Sequence, residues 1–121
     1  MSQDPKDSGI KTYVLRAGRM TEGQKKALSD LSPRHCISFS AEVLDPARIF
    51  TENKPLVLEI GFGMGQATWK IAVDRPEWNY LGVEVHAPGV GRLLMEIESR
   101  GIGNLKVIQH DAVEVLSSMI R

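Results

Sequence analysis

Cysteine is nearly absent: Cys36 is the one thiol in 121 residues. A lone cysteine forms no internal disulfide and excludes any cysteine-rich zinc or iron–sulfur site. Long hydrophobic runs are missing as well. No apolar stretch approaches the ~18 residues of a membrane span, and the N-terminus, MSQDPKDSG, lacks the apolar core of a secretory signal. Net charge is missing too, with 15 basic residues balancing 15 acidic ones. That argues against a protein whose whole surface grips nucleic acid. These absences lead us to expect a cytoplasmic protein with no membrane or metal partner.

What is present is ordinary for one folded domain. The chain is 42% hydrophobic and 25% charged, values that argue against wholesale disorder. The charge average hides a gradient. Residues 11–26 carry Lys11, Arg16, Arg19, Lys25 and Lys26 against Glu22 alone, whereas residues 55–121 are net acidic. A basic segment of this kind is either a solvated face or a patch that positions a polyanion by counterion release.

Residues 1–10 read as a polar tail, and 12–15 as a short extended piece. Thr21 and Gln24 have capping-box spacing, which predicts a helix through Leu28 and Leu31 that stops before Pro33. Residues 33–54 lack a sustained period and predict loop with one helical turn near 45–50. From residue 55 the pattern sharpens to β-α-β-α-β-α. The expected strands are 56–60, 79–85 and 105–109. The expected helices are 66–74, one opening near Pro88 and ending before Gly101, and 112–120 capped by Asp111. Val90, Leu93, Leu94 and Ile97 are expected to be buried on the second of these helices, and Val113, Leu116 and Ile120 on the third. Short strands alternating with helices imply an α/β fold, a parallel sheet flanked by helices. We therefore expect two parts: residues 1–54, holding the tail, basic segment and short helix, and residues 55–121, the α/β portion.

The central motif is Glu59-Ile60-Gly61-Phe62-Gly63-Met64-Gly65, placed where a strand ends and a helix begins. Ligands of open α/β sheets bind at the carboxyl ends of the strands. The dinucleotide fingerprint would put its third glycine at 66, but that residue is Gln66 and the third glycine comes early, at Gly65. Glu59 brings a carboxylate close to the loop. A carboxylate suits a cation better than a pyrophosphate, and S-adenosylmethionine (AdoMet) offers both an ammonium and a sulfonium. Glu84, near the end of the second strand, suits a ribose diol. Asp111, after the third, suits an adenine amino group or an ordinary helix cap. Three acids at three successive strand ends point to a nucleoside site. An NAD-dependent oxidoreductase is the weaker alternative, disfavoured by Gln66 and Glu59.

Three stretches, LEIGFGMG (58–65), DRPEWNYLGVEVHAPGVG (74–91) and NLKVIQHDAVEVL (104–116), closely resemble bacterial tRNA (guanine-N7)-methyltransferases, and RAGRMTEGQKKAL (16–28) resembles that family's N-terminal stretch. The resemblance implies a Rossmann-like class I AdoMet-dependent methyltransferase fold, cut after its third strand–helix unit, and methyl transfer to N7 of a guanine in tRNA. It implies AdoMet contacts for Glu59, Glu84 and Asp111, and we group Gly61, Gly63, Gly65 and His86 with them as candidate cofactor-binding residues. It further implies that the catalytic aspartate and much of the tRNA contact lie in a Pro-Asp-Pro-Trp region beyond Arg121, so that these 121 residues alone supply the cofactor half, inactive without the rest. A non-catalytic AdoMet-binding fragment is the corresponding alternative. In the family's sheet the first strand has a second neighbour, which here would lie past Arg121. The resemblance thus implies an exposed edge and self-association.

Guanine N7 carries a lone pair and no proton, so methylating it needs no strong general base. That fits the lack of a Ser/His/Asp constellation. His86 reads as a contact with cofactor or target base, or as a loop histidine holding a carbonyl. Arg16 and Arg19 are the candidate tRNA contacts. Trp69 and Trp78 read as packing residues, with base stacking as the alternative. Cys36 reads as structural, His35 as a surface residue and His110 as strand-end packing.

Overall fold

The computed structural model describes residues 19–120. The expected tail, the extended piece at 12–15 and Arg16 lie outside the described residues. The order is α1 (Glu22–His35), a 3-10 turn (Pro46–Arg48), β1 (Leu56–Ile60), α2 (Gln66–Asp74), β2 (Asn79–Val83), α3 (Ala87–Arg100), β3 (Leu105–Ile108) and α4 (Ala112–Ser118). The strands form one parallel sheet in the order β1-β2-β3. Leu56 pairs with Asn79 and Ile60 with Val83, while Tyr80 pairs with Leu105 and Val83 with Ile108.

Strand alternation sorts the core into two layers. Tyr80, Leu105 and Val107 join Val90, Leu93, Leu94 and Ile97 of α3, with Trp69 and Ala72 of α2 and Ala27 of α1. Leu81, Val83 and Ile108 face the other way, toward Val115 of α4, Met119 just after it, and Ile37, Phe39 and Leu44 of the α1–β1 connection. The central strand β2 is buried along its whole length, as a parallel strand covered on both faces must be. Backbone bonds tie the connection down: Ile37 N donates to Val107 O (2.7 Å) and Leu44 N to Met119 O (2.8 Å).

Two expectations need correction. Helix α1 does not stop before Pro33 but runs through it to His35. Pro33 leaves the Ser29 carbonyl without a helical donor, but Ser29 is exposed, so water can replace the lost partner. The last turn is secured elsewhere: Cys36 N donates to Ser32 O (2.9 Å), and Arg34 and His35 both reach Glu98 of α3, at 2.7 and 2.9 Å. The buried face is Val115 of α4 and Met119, its C-cap, whereas Val113 and Leu116 are 72% and 44% exposed. The helix also closes at Ser118. Two apolar sets at helical spacing exist here, offset by one residue. The Asp111 cap and the Leu44–Met119 bond set the phase that turns Val115 inward.

The capping box at Thr21, the burial of the α3 face, the left-handed Gly101 after α3 and the Asp111 cap are as expected. β2 and β3 end at Val83 and Ile108, slightly short of the expected limits. Among the described residues, no helix is long and apolar enough to cross a membrane.

Candidate functional site

The turn after β1 is built on left-handed backbone. Gly61, Gly63 and Gly65 have φ of 70°, 66° and 75°, a region L side chains rarely adopt. Gly65 opens α2, and a β-carbon there would meet the Leu93 side chain at 2.8 Å. At Gly61 and Gly63 a β-carbon would meet nothing within 4 Å, so the loop leaves open space beside its backbone.

Glu84, just past β2, ties this loop to the start of α3. Its Oε1 accepts from Gly63 N (2.7 Å), and its Oε2 accepts from Val85 N (3.1 Å) and His86 N (3.0 Å). Hydrogen bonds to an ionised carboxylate are the strong ones. A carboxylate offers about four lone-pair positions, and three are taken, which leaves one on Oε1 for a ligand hydroxyl. A diol that engages both hydroxyls must share one of the amide contacts.

A cleft of about 370 Å³ opens at the carboxyl ends of all three strands, lined by Gly61, Glu84, Val85, His110 and Asp111 among others. The structure thus brings Gly61, Glu84 and Asp111 together. Asp111 Oδ1 accepts from Val113 N (2.9 Å) and caps α4. Glu59 is not part of the cleft wall: on the α2 side of the sheet, its Oε1 accepts from the buried Thr68 hydroxyl at 2.9 Å. Gly63 and Gly65 shape the loop behind the cleft. Half-buried His86 stands at the N-cap of α3.

A neighbouring groove of about 500 Å³ is lined by Ser29, Cys36, Phe39 and Gln109 among others. It holds no charged side chain and no glycine turn, so the smaller cleft is the stronger candidate site. Burial pushes the Cys36 thiol above its ordinary value, which suits a structural cysteine rather than a nucleophile. Trp69 is buried beneath the Arg100 guanidinium, 3.6 Å from the ring centroid, and Trp78 lies against Tyr80. Arg19 is exposed before α1. Lys25 and Lys26 pair with Glu22 and Asp30, exposed contacts that contribute little.

Sequence reading missed a cluster at the cleft rim. His110 was expected to pack at a strand end. Instead it lines the cleft, stacks on Phe39 (centroids 3.9 Å apart, planes 9° apart) and meets Glu114 Oε1 at 2.5 Å through Nε2. The i, i+4 spacing of His110 and Glu114 was a usable signal; the Phe39 contact had none.

A parallel sheet with a glycine turn after its first strand and acids at the ends of the next two is a Rossmann-like arrangement. Residues 53–121 match the family described as "Putative methyltransferase", and the chain belongs to that family. The curated tRNA (guanine-N(7)-)-methyltransferase of Thiobacillus denitrificans is 52% identical over 111 residues, covering 92% of this chain and 49% of that protein. The corresponding protein of an Acidovorax species is 54% identical over 112 residues, covering 93% and 45%. The chain therefore spans about half the length of these relatives. Among solved structures, coclaurine N-methyltransferase bound to N-methylheliamine and SAH is a distant likeness, with TM-score 0.45 and 15% identity over 91% of this chain and 37% of that one.

Proposed function

We propose that this chain is the cofactor-binding part of an enzyme that methylates N7 of a guanine in tRNA, acting in the cytoplasm and using AdoMet. The observation that carries the reading is the identity of about half the residues, over 92% of the chain, with the curated tRNA (guanine-N(7)-)-methyltransferase of Thiobacillus denitrificans. The cleft supports it. Open space beside Gly61 and Gly63 admits a ligand against the backbone. Glu84 has an acceptor position for a ribose hydroxyl, and Asp111 stands at the cleft wall to accept from an adenine amino group. Glu59 contributes negative charge behind the loop, favourable to an ammonium or sulfonium. AdoMet, when bound, supplies the electrophilic methyl group. The chain's own residues hold the nucleoside end, fix the loop and exclude water. His86 is proposed as a further contact at the start of α3, and Arg16 and Arg19 as tRNA phosphate contacts. Residues 1–54 are proposed as the tail, basic segment and short helix, and 55–121 as the cofactor part. Among the described residues β1 has one strand partner, and we propose that this edge drives self-association.

Photolabelling with tritiated AdoMet tests the reading. Label is expected on peptides spanning 61–65, 84–86 or 110–112, and excess S-adenosylhomocysteine should suppress it. Label confined to other peptides, or unaffected by the competitor, contradicts it.

A further inference from the structure

We propose that Phe39, in the connection between α1 and β1, is a positioning residue for the nucleoside cleft and acts through His110. The inference rests on the cofactor reading above and goes beyond it, because that reading gives Phe39 no role.

His110 is a cleft-lining side chain with two tethers. Phe39 covers one face of its imidazole in parallel stacking, at 3.9 Å and 9°. Glu114, one turn into α4, takes Nε2. Together they fix the plane of the ring and one of its edges, while the side chain stays 30% exposed at the cleft. An imidazole held in this way is a flat wall, pre-organised for a planar ligand. A free histidine would lose rotamer freedom each time the ligand bound.

Phe39 is itself held from outside the cleft. The backbone bonds from Ile37 to Val107 and from Leu44 to Met119 anchor the connection on β3 and on the end of α4, and Phe39 packs with the layer formed by Leu81, Val83 and Ile108. The path from the connection to the cleft is therefore continuous: backbone anchors, the Phe39 ring, the His110 ring, then the space beside Asp111. On this account the connection is a working part of the cleft wall and more than a link between α1 and the sheet.

The test uses the 121-residue chain and S-adenosylhomocysteine as probe, by isothermal titration. Phe39→Leu keeps an apolar side chain but loses the flat face. It should weaken binding about three- to tenfold, and Phe39→Tyr, which keeps the ring, should restore wild-type affinity within about twofold. A spectroscopic readout separates positioning from general stability. The His110 ring protons should be shifted upfield in wild type and Phe39→Tyr and lose that shift in Phe39→Leu. If Phe39→Leu fails to fold, Glu114→Ala, at an exposed site, removes the other tether and should weaken binding about two- to fivefold. Wild-type affinity in Phe39→Leu, or in Glu114→Ala where that variant stands in, would overturn the proposal while leaving the cofactor reading intact. Absence of binding by the wild type would overturn the cofactor reading and this proposal with it.

Discussion

Gly89 rests on the carbonyl of Gly63 so closely that a β-carbon at residue 89 would lie 1.7 Å from that oxygen. The first turn of α3 and the glycine loop are therefore one packed unit, and any side chain at 89 must push them apart. Overpacking of this kind costs about 1–3 kcal/mol. Gly89→Ala should lose at least that much in urea unfolding and also lose binding at the cleft. Gly103→Ala is the control: a β-carbon there meets nothing within 4 Å, and stability should hold within about 0.5 kcal/mol.

Glu84 joins the same two elements through its carboxylate. Glu84→Ala should weaken binding of S-adenosylhomocysteine by about 1–3 kcal/mol, the scale of hydrogen bonds to a charged group. It should also release the Gly63 amide to faster hydrogen exchange. Unchanged affinity in a folded variant would remove Glu84 from the site.

The clasp between α1 and α3 should weaken at low pH. His35 and Arg34 hydrogen-bond to the Glu98 carboxylate and hold it below its ordinary value of 4.5. A carboxyl depressed in the folded state adds stability that is present above its ordinary value and is lost as pH falls through the folded value. The melting temperature of Glu98→Gln should lie slightly below wild type at pH 6, and the gap should narrow as pH drops below 4.5. A gap that does not change between pH 6 and 3 would contradict the clasp.

Among the described residues β1 has no strand on its outer edge, and Ile60, Ile71 and Val73 stand 43%, 46% and 52% exposed. Unpaired strand edges beside apolar surface invite pairing between chains. Sedimentation velocity at micromolar concentration should show dimers or larger species, shifted toward monomer by Ile71→Glu with Val73→Glu. A clean monomer at every concentration would contradict this.

The α/β portion was legible because its signals are local. LVLEI, the glycine turn, Pro88 and Gly101 mark their own elements, and the cap at Asp111 starts α4 where the sequence implies. The errors arose where tertiary contact overrides local preference. Pro33 sits inside α1 because Glu98 holds the two residues after it. The inward face of α4 was misread because its two apolar sets are equivalent until the sheet and Leu44 choose between them. In the cleft, Glu84 and Asp111 were predictable from their place after a strand, and so was Gly61. The engagement of Glu84 by three backbone amides was not, nor was the approach of Phe39 to His110 across 71 positions of chain.

Whether the cleft at the strand ends takes AdoMet is decided by parallel titration of the 121-residue chain with S-adenosylhomocysteine and with NAD. S-adenosylhomocysteine should bind saturably at one site per chain, more weakly in Glu84→Ala, and NAD should not bind over the same concentrations. Binding of NAD without S-adenosylhomocysteine, or of neither, would contradict it.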